Sequence, residues 1–142
     1  MPYLLDTNIV SDLVRKPQGA IAERIKSVGE TEVATSIIVA AELRFGAAKR
    51  GSERLTSQLE EVLRVLAVLP LKSPADTAYA GIRTRIERGG RPMGANDLLI
   101  AAHAIAVGFM LVTDDGDFDR IPDLTVENWL RSLARGDGRD RT

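Results

Sequence analysis

Short apolar runs of strand type alternate with helical patterns along this 142-residue chain. That alternation predicts an α/β fold, a three-layer α/β/α sandwich around a central parallel sheet of about five strands. Two further observations support it. Tyr3-Leu4-Leu5 and Phe109-Met110-Leu111-Val112-Thr113 each run straight into aspartates, as buried strands do when they surface at a sheet edge. From Asp97 to Val107 the pattern is apolar almost all round, which places that helix in the interior.

Taken in order, the first strand, Tyr3 to Leu5, ends at Asp6-Thr7-Asn8 and leads into a helix over Ile9 to Val14. Lys16-Pro17-Gln18-Gly19 breaks that pattern. Ile21, Ile25 and Val28 then fall at helical spacing. Glu32-Val33-Ala34-Thr35 is a second strand. Ser36 opens a mostly apolar helix through Ala48, with Glu42 inside it. After Gly51-Ser52, the residues Leu55, Leu59, Val62, Leu63 and Leu66 mark one face of a long amphipathic helix. Val68-Leu69-Pro70-Leu71 reads as a third strand, and Pro70 suits an edge position. The next helix has Pro74 in its first turn and ends at Gly89-Gly90; the apolar helix from Asp97 stops at Gly108. Phe109 to Thr113 is the fourth strand, and Leu124-Thr125-Val126-Glu127 is the last. One domain over residues 1–133 is expected, with a disordered tail over residues 134–142, whose glycines and charges have nothing to bury.

Composition narrows the chemistry. Apolar residues make up 44% and charged residues 27%, as in soluble globular proteins. No run is long enough for a membrane span, and the N-terminus lacks the features of a signal peptide, so a cytoplasmic location is expected. With no cysteine and one histidine, disulfides, thiolate sites and imidazole-rich zinc sites are excluded. Any metal must be held by oxygen, which favours Mg²⁺, Mn²⁺ or Ca²⁺. The net charge of −1 provides no global attraction to nucleic acid, so local charge matters more than the sum.

Ligands of open α/β sheets bind at the carboxyl ends of the strands, where strand order reverses. Asp6 ends the first strand and Asp115 follows the fourth. Asp97 begins a helix that feeds a parallel strand, so it lies at that same edge. Glu42 sits about one and a half to two turns into the helix leaving the second strand. Four acids from distant parts of the chain therefore meet at one rim. Each has a plainer explanation. Asp6, Asn96 and Asp97 could be helix caps, and the run Asp114, Asp115, Asp117 and Asp119 could be a solvated turn. Glu42 is harder to dismiss, because a lone carboxylate among apolar neighbours such as Ile38 and Phe45 needs a metal or an open cleft. His103 lies about 240° around the helix from Asp97 and reads as a packed residue rather than a base. Trp129 reads as core or interface. Carboxylates gathered without a basic partner are tolerable when divalent ions sit among them, and such sites hydrolyse phosphodiesters without needing a histidine.

Leu4-Leu5-Asp6-Thr7-Asn8, Ala41-Glu42-Leu43-Arg44-Phe45-Gly46, Gly94-Ala95-Asn96-Asp97-Leu98-Leu99-Ile100-Ala101-Ala102-His103-Ala104 and Leu111-Val112-Thr113-Asp114-Asp115-Gly116-Asp117-Phe118 together resemble the PIN domain nucleases. More narrowly they resemble the VapC-like toxins of type II toxin–antitoxin pairs. The resemblance covers residue 2 to about residue 131, with the motifs in family order. It implies a metal-dependent endoribonuclease with strand order 3-2-1-4-5. It assigns Asp6, Glu42, Asp97 and Asp115 as the acidic quartet holding Mg²⁺ or Mn²⁺, and Asp117 as a fifth acid. Thr7, Asn8 and Thr113 are the supporting residues, and Asp114 is the adjacent alternative to Asp115. It also implies an RNA substrate, a homodimer and a cognate VapB-like antitoxin whose basic side chain enters the acidic site. Arg83, Arg85, Arg88 and Arg91, which lead into the Asp97 motif, are candidates for phosphate contacts; their alternative is an exposed helix face balanced by Glu87.

The rival function is a PIN-like module that binds RNA or protein without cutting. A haloacid dehalogenase-type phosphatase wants a second aspartate where Asn8 stands, and a receiver-like domain wants a lysine after a late strand that is not found here.

Overall fold

The computed structural model describes residues 1–130. The expected boundary at residue 133 and the tail over residues 134–142 lie outside the described residues. Five strands, β1 (Tyr3–Leu5), β2 (Val33–Ser36), β3 (Ala67–Leu69), β4 (Met110–Val112) and β5 (Val126–Glu127), form one sheet of order β3-β2-β1-β4-β5. Every neighbouring pair is parallel. Tyr3 pairs with Val33 on one side and with Met110 on the other, so β1 is central. The order reverses between β1 and β4, which places a crevice at their carboxyl ends.

Six helices cover the sheet: α1 (Thr7–Arg15), α2 (Ala20–Val28), α3 (Ile37–Arg50), α4 (Glu53–Val65), α5 (Ala75–Arg88) and α6 (Ala95–Val107). The first four pack on one another, and α5 lies along α6. None among the described residues is long and apolar enough to cross a membrane. The core holds Leu4, Leu5, Ile9, Leu98, Leu111 and Trp129, all fully buried. Helix α6 is enclosed along its middle: Leu98 and Ile100 to Ala104 are all buried, as its apolarity requires. Gly108, at φ 74°, adopts the left-handed conformation that ends α6 and turns the chain into β4.

Several boundaries differ from the sequence expectation, for local reasons. Helix α1 starts at Thr7, not Ile9, because the Ile9 and Val10 amides already bond the Asp6 carbonyl. Strand β3 begins at Ala67 and ends before Pro70, which has no N–H to donate; it is an edge strand, as Pro70 suggested. Pro74 occupies the N-cap of α5 rather than its first turn. Strand β5 is shortened because the Leu124 amide closes a turn onto the Ile121 carbonyl before pairing begins. Helix α3 departs most from its apolar composition. Phe45 is 68% and Ile37 45% exposed, so Phe45 is not a core neighbour of Glu42. His103 is packed as expected, with Nδ1 2.8 Å from the Ser36 hydroxyl, and burial depresses its pKa. Trp129 is core, edge-on to Tyr3, with the Arg24 guanidinium over its ring.

Candidate active site

Strand β1 delivers Asp6 to the sheet edge, where its amide bonds the Val112 carbonyl of β4. Asp6 occupies the N-cap position of α1, yet its side chain caps nothing. Its carboxylate instead accepts the Thr113 hydroxyl at 2.6 Å. Asp6 is buried, and desolvation raises its pKa; the Thr113 and Thr7 hydrogen bonds oppose that rise, and the charges of Glu42 and Asp115 add to it. The capping alternative therefore fails for Asp6.

It fails for α6 as well. Gly94 holds the N-cap, and neither Asn96 nor Asp97 makes a side-chain cap. Asp97, half-buried, is pushed up to about 6 by desolvation first and then by Asp6, Asp115, Glu42 and Asp117. Four other carboxylates thus act on Asp97, and all come from other elements. Asp114 is absent from that set. Its amide donates to Asn8 Oδ1 (3.1 Å) and its carboxylate accepts from Asn128 (2.7 Å). Asn8 is therefore a backbone brace for the loop after β4, and Asp115 with Asp117 are the acids that face the cluster.

The 3-10 turn Gly116–Arg120 begins at Asp115, whose carboxylate accepts the Asp117 amide at 2.9 Å. Capping and site geometry coincide here. The Asp115 amide in turn donates to the Thr113 hydroxyl at 3.0 Å. Thr113 thus joins Asp6 to Asp115 through one oxygen, as donor and as acceptor.

Glu42 comes from α3, half-buried at the mouth of a cleft. Thr7 donates to its Oε1 at 2.6 Å and Asn96 to its Oε2 at 3.1 Å. Helices α1, α3 and α6 are pinned together through this single carboxylate. Of the metal or open cleft that its apolar neighbours called for, the structure provides the cleft, and two hydrogen-bond donors besides. Arg44 points away and pairs with Glu60 on α4.

Two contributors were not legible in the chain. Asn96 reads as a cap but orients Glu42 across 54 residues. Arg120 pairs with Asp117 at 3.1 Å and also donates to the Arg91 carbonyl, tying the 3-10 turn to the loop before α6. The spacing from Asp117 to Arg120, three residues, was the only available hint. Of the four candidate arginines, Arg83 is engaged by Glu87 and Tyr79 and Arg85 by Asp123. Arg88 and Arg91 have no carboxylate partner among the described residues.

The donor set suits a hard divalent cation: it is oxygen only and anionic, and burial followed by the neighbouring carboxylates raises the Asp97 pKa to about 6. No three of the carboxylates lie close enough together, among the described residues, to form a ready chelate. The cluster can collect positive charge and present it to a phosphate.

The PIN domain family model matches residues 3–124. The chain belongs to the PIN domain family. Within it, the protein named ribonuclease VapC2 from Rickettsia felis is 37% identical over 132 residues, covering 91% of this chain and 98% of its own. The tRNA(fMet)-specific endonuclease VapC of Shigella flexneri is 30% identical, with 91% and 98% covered. Solved structures agree. VapBC2 from Rickettsia felis, bound to a DNA fragment from its promoter, superposes with a TM-score of 0.83 at 36% identity over 91% of this chain and 99% of that one. DNA-bound VapBC from Salmonella typhimurium gives 0.81 at 31%, covering 91% and 98%. This PIN domain is thus of the VapC type in sequence as well as in strand order.

Proposed function

We propose that this PIN domain is an endoribonuclease, the toxin of a toxin–antitoxin pair, hydrolysing RNA phosphodiester bonds at the Asp6, Glu42, Asp97, Asp115 and Asp117 cluster. The observation that carries the reading is the joining of acids from distant segments at one sheet edge, with Thr113 bridging Asp6 to Asp115 and Thr7 and Asn96 holding Glu42; burial, and then the neighbouring carboxylates, raise the Asp97 pKa to about 6. Perturbed carboxylates gathered at a cleft are a mark of functional sites, and an oxygen-only acidic set suits a divalent cation. The relatives named ribonuclease and endonuclease support RNA as substrate.

Asp6, Glu42, Asp97 and Asp115 would hold Mg²⁺ or Mn²⁺. When bound, the ion supplies positive charge for the phosphate and lowers the pKa of a water. The chain's own residues do the rest. Thr113 keeps Asp6 and Asp115 in register, while Thr7 and Asn96 fix both oxygens of Glu42. Arg120 restrains Asp117 and the Arg91 loop, which brings Arg88 and Arg91 forward as phosphate contacts; Arg83 and Arg85 are held in surface pairs and are weaker candidates. The neighbours are VapBC complexes, which supports a VapB-like antitoxin partner. Exposed Phe45 and Ile37 on α3 offer apolar surface for such a contact or for a homodimer.

The test is cleavage of total RNA by purified protein with Mg²⁺, with EDTA, and by an Asp97→Asn variant. Cutting is expected only from the unaltered protein with metal. Equal cutting in all three would end the reading.

A further inference from the structure

We propose that Arg120 is a positioning residue for RNA hydrolysis, a single guanidinium that sets the fifth acid and the RNA-contacting loop at the same time. The inference rests on the ribonuclease reading and adds to it a residue on which cation and RNA binding both depend. Arg120 closes the 3-10 turn that follows β4. Its guanidinium pairs with Asp117 at 3.1 Å and donates to the Arg91 carbonyl, in the loop between α5 and α6. Among the ion pairs of the described residues it is the least exposed cation, at 19% against 31% for Arg24 and more for the rest. Arginine is drawn this far from water only when its partners hold it there.

The loop needs such a tether. The Gly90 amide bonds the Glu87 carbonyl and the Leu98 amide the Gly94 carbonyl, but Arg91 to Met93 make no backbone–backbone hydrogen bond among the described residues. Pro92 has no N–H to offer. Besides the Met93 side chain, which is buried in the core, the Arg120 contact is what holds this stretch. The loop ends at Gly94, the N-cap of α6, so near Asp97 that a Cβ placed on it would stand 3.8 Å from the carboxylate. Fixing the Arg91 carbonyl therefore fixes the approach to the Asp97 motif together with the base of the Arg91 side chain. On its other side Arg120 holds the Asp117 carboxylate, and the Asp117 amide donates to Asp115. The Asp115 amide donates to Thr113, and Thr113 donates to Asp6. A continuous run of hydrogen bonds thus joins the Arg91 loop to the acid at the end of β1. A guanidinium is planar and carries its donors at fixed angles, so it keeps two partners from different elements in one relative position. An ammonium offers only a point charge.

Charge and position make opposite predictions for the cation. Removing a positive group beside the acids would by charge alone tighten Mg²⁺ binding; removing the residue that places Asp117 should weaken it. Calorimetric titration of Mg²⁺ into the RNA-free protein is expected to show Arg120→Met weaker by about tenfold, the scale on which groups behind metal ligands act. A fluorescein-labelled random 12-mer oligoribonucleotide should bind the non-cleaving Asp97→Asn protein severalfold less well once Arg120→Met is added. The KM for cleavage with Mg²⁺ should rise in the single variant. Arg120→Lys keeps the charge and reaches Asp117 but cannot span both partners. It should recover most of the Mg²⁺ affinity and leave RNA binding weak, and it serves alone if Arg120→Met fails to fold. Unchanged or tighter Mg²⁺ binding in folded Arg120→Met would overturn the proposal. Parent-like RNA binding in Arg120→Lys would do the same, because the loop would then need no tether. Failure of the unaltered protein to cut any RNA strikes the ribonuclease reading instead, while the Mg²⁺ titration still reads Arg120.

Discussion

At the scale of single residues, the site is defined by which polar groups hold each carboxylate. Thr113 is the tightest junction, donating to Asp6 and accepting from Asp115. Thr113→Val removes both bonds at nearly constant volume. It is expected to lower Mg²⁺ affinity about 10- to 100-fold, the range seen when residues behind metal ligands are lost, and Thr113→Ser should restore most of it. Calorimetric titration of Mg²⁺ into the three proteins checks this. Asp97 makes a second prediction through its proton. Its folded pKa of about 6 stands above the ordinary 3.8, so the folded protein binds the proton more tightly than the unfolded chain. Metal-free stability should therefore fall as pH rises from about 4 through 6. Asp97→Asn should flatten that fall and raise the melting temperature at pH 7.5, as thermal scans in EDTA will read.

At the scale of elements, α6 couples core and site. Its N-terminus presents Asn96 and Asp97, while Leu98 and Ile100 to Ala104 in its body are buried. Leu98→Ala should cost about 2–5 kcal/mol by leaving a cavity, whereas Val107→Ala, at a 39% exposed position, should cost less than about 0.5. Urea melts of the two variants give the comparison. Helix α3 is the converse case: an apolar composition that leaves Ile37 and Phe45 in solvent.

At the scale of the whole molecule, four chain segments converge because β1 and β4 are adjacent at the sheet's reversal point. On the proposed reading, that convergence would tie folding to cation binding. Mg²⁺ should raise the melting temperature at pH 7.5, through preferential binding to the folded state. It should raise it less at pH 5, where Asp97 holds its proton. An equal shift at both pH values would show that the ion binds elsewhere.

Much of this was readable in the chain. The alternation of short apolar runs with helical periods determined a parallel α/β sheet, because burial on both faces demands it. The same rule sent Asp6, Asp97 and Asp115 to the carboxyl edge. Glu42 stood out for its apolar surroundings alone. Other features were decided only by packing. Asn96 and Arg120 act across 54 and 29 residues, on Glu42 and on the Arg91 carbonyl, and no local period encodes such pairs. Asp114 and Asp115 are neighbours in sequence, yet successive residues of an extended chain face opposite ways. Only the brace from Asn8 and Asn128 determined which of them turned inward. Local pattern specifies what a segment will bury; which distant polar group it then meets depends on where the sheet brings the segments together.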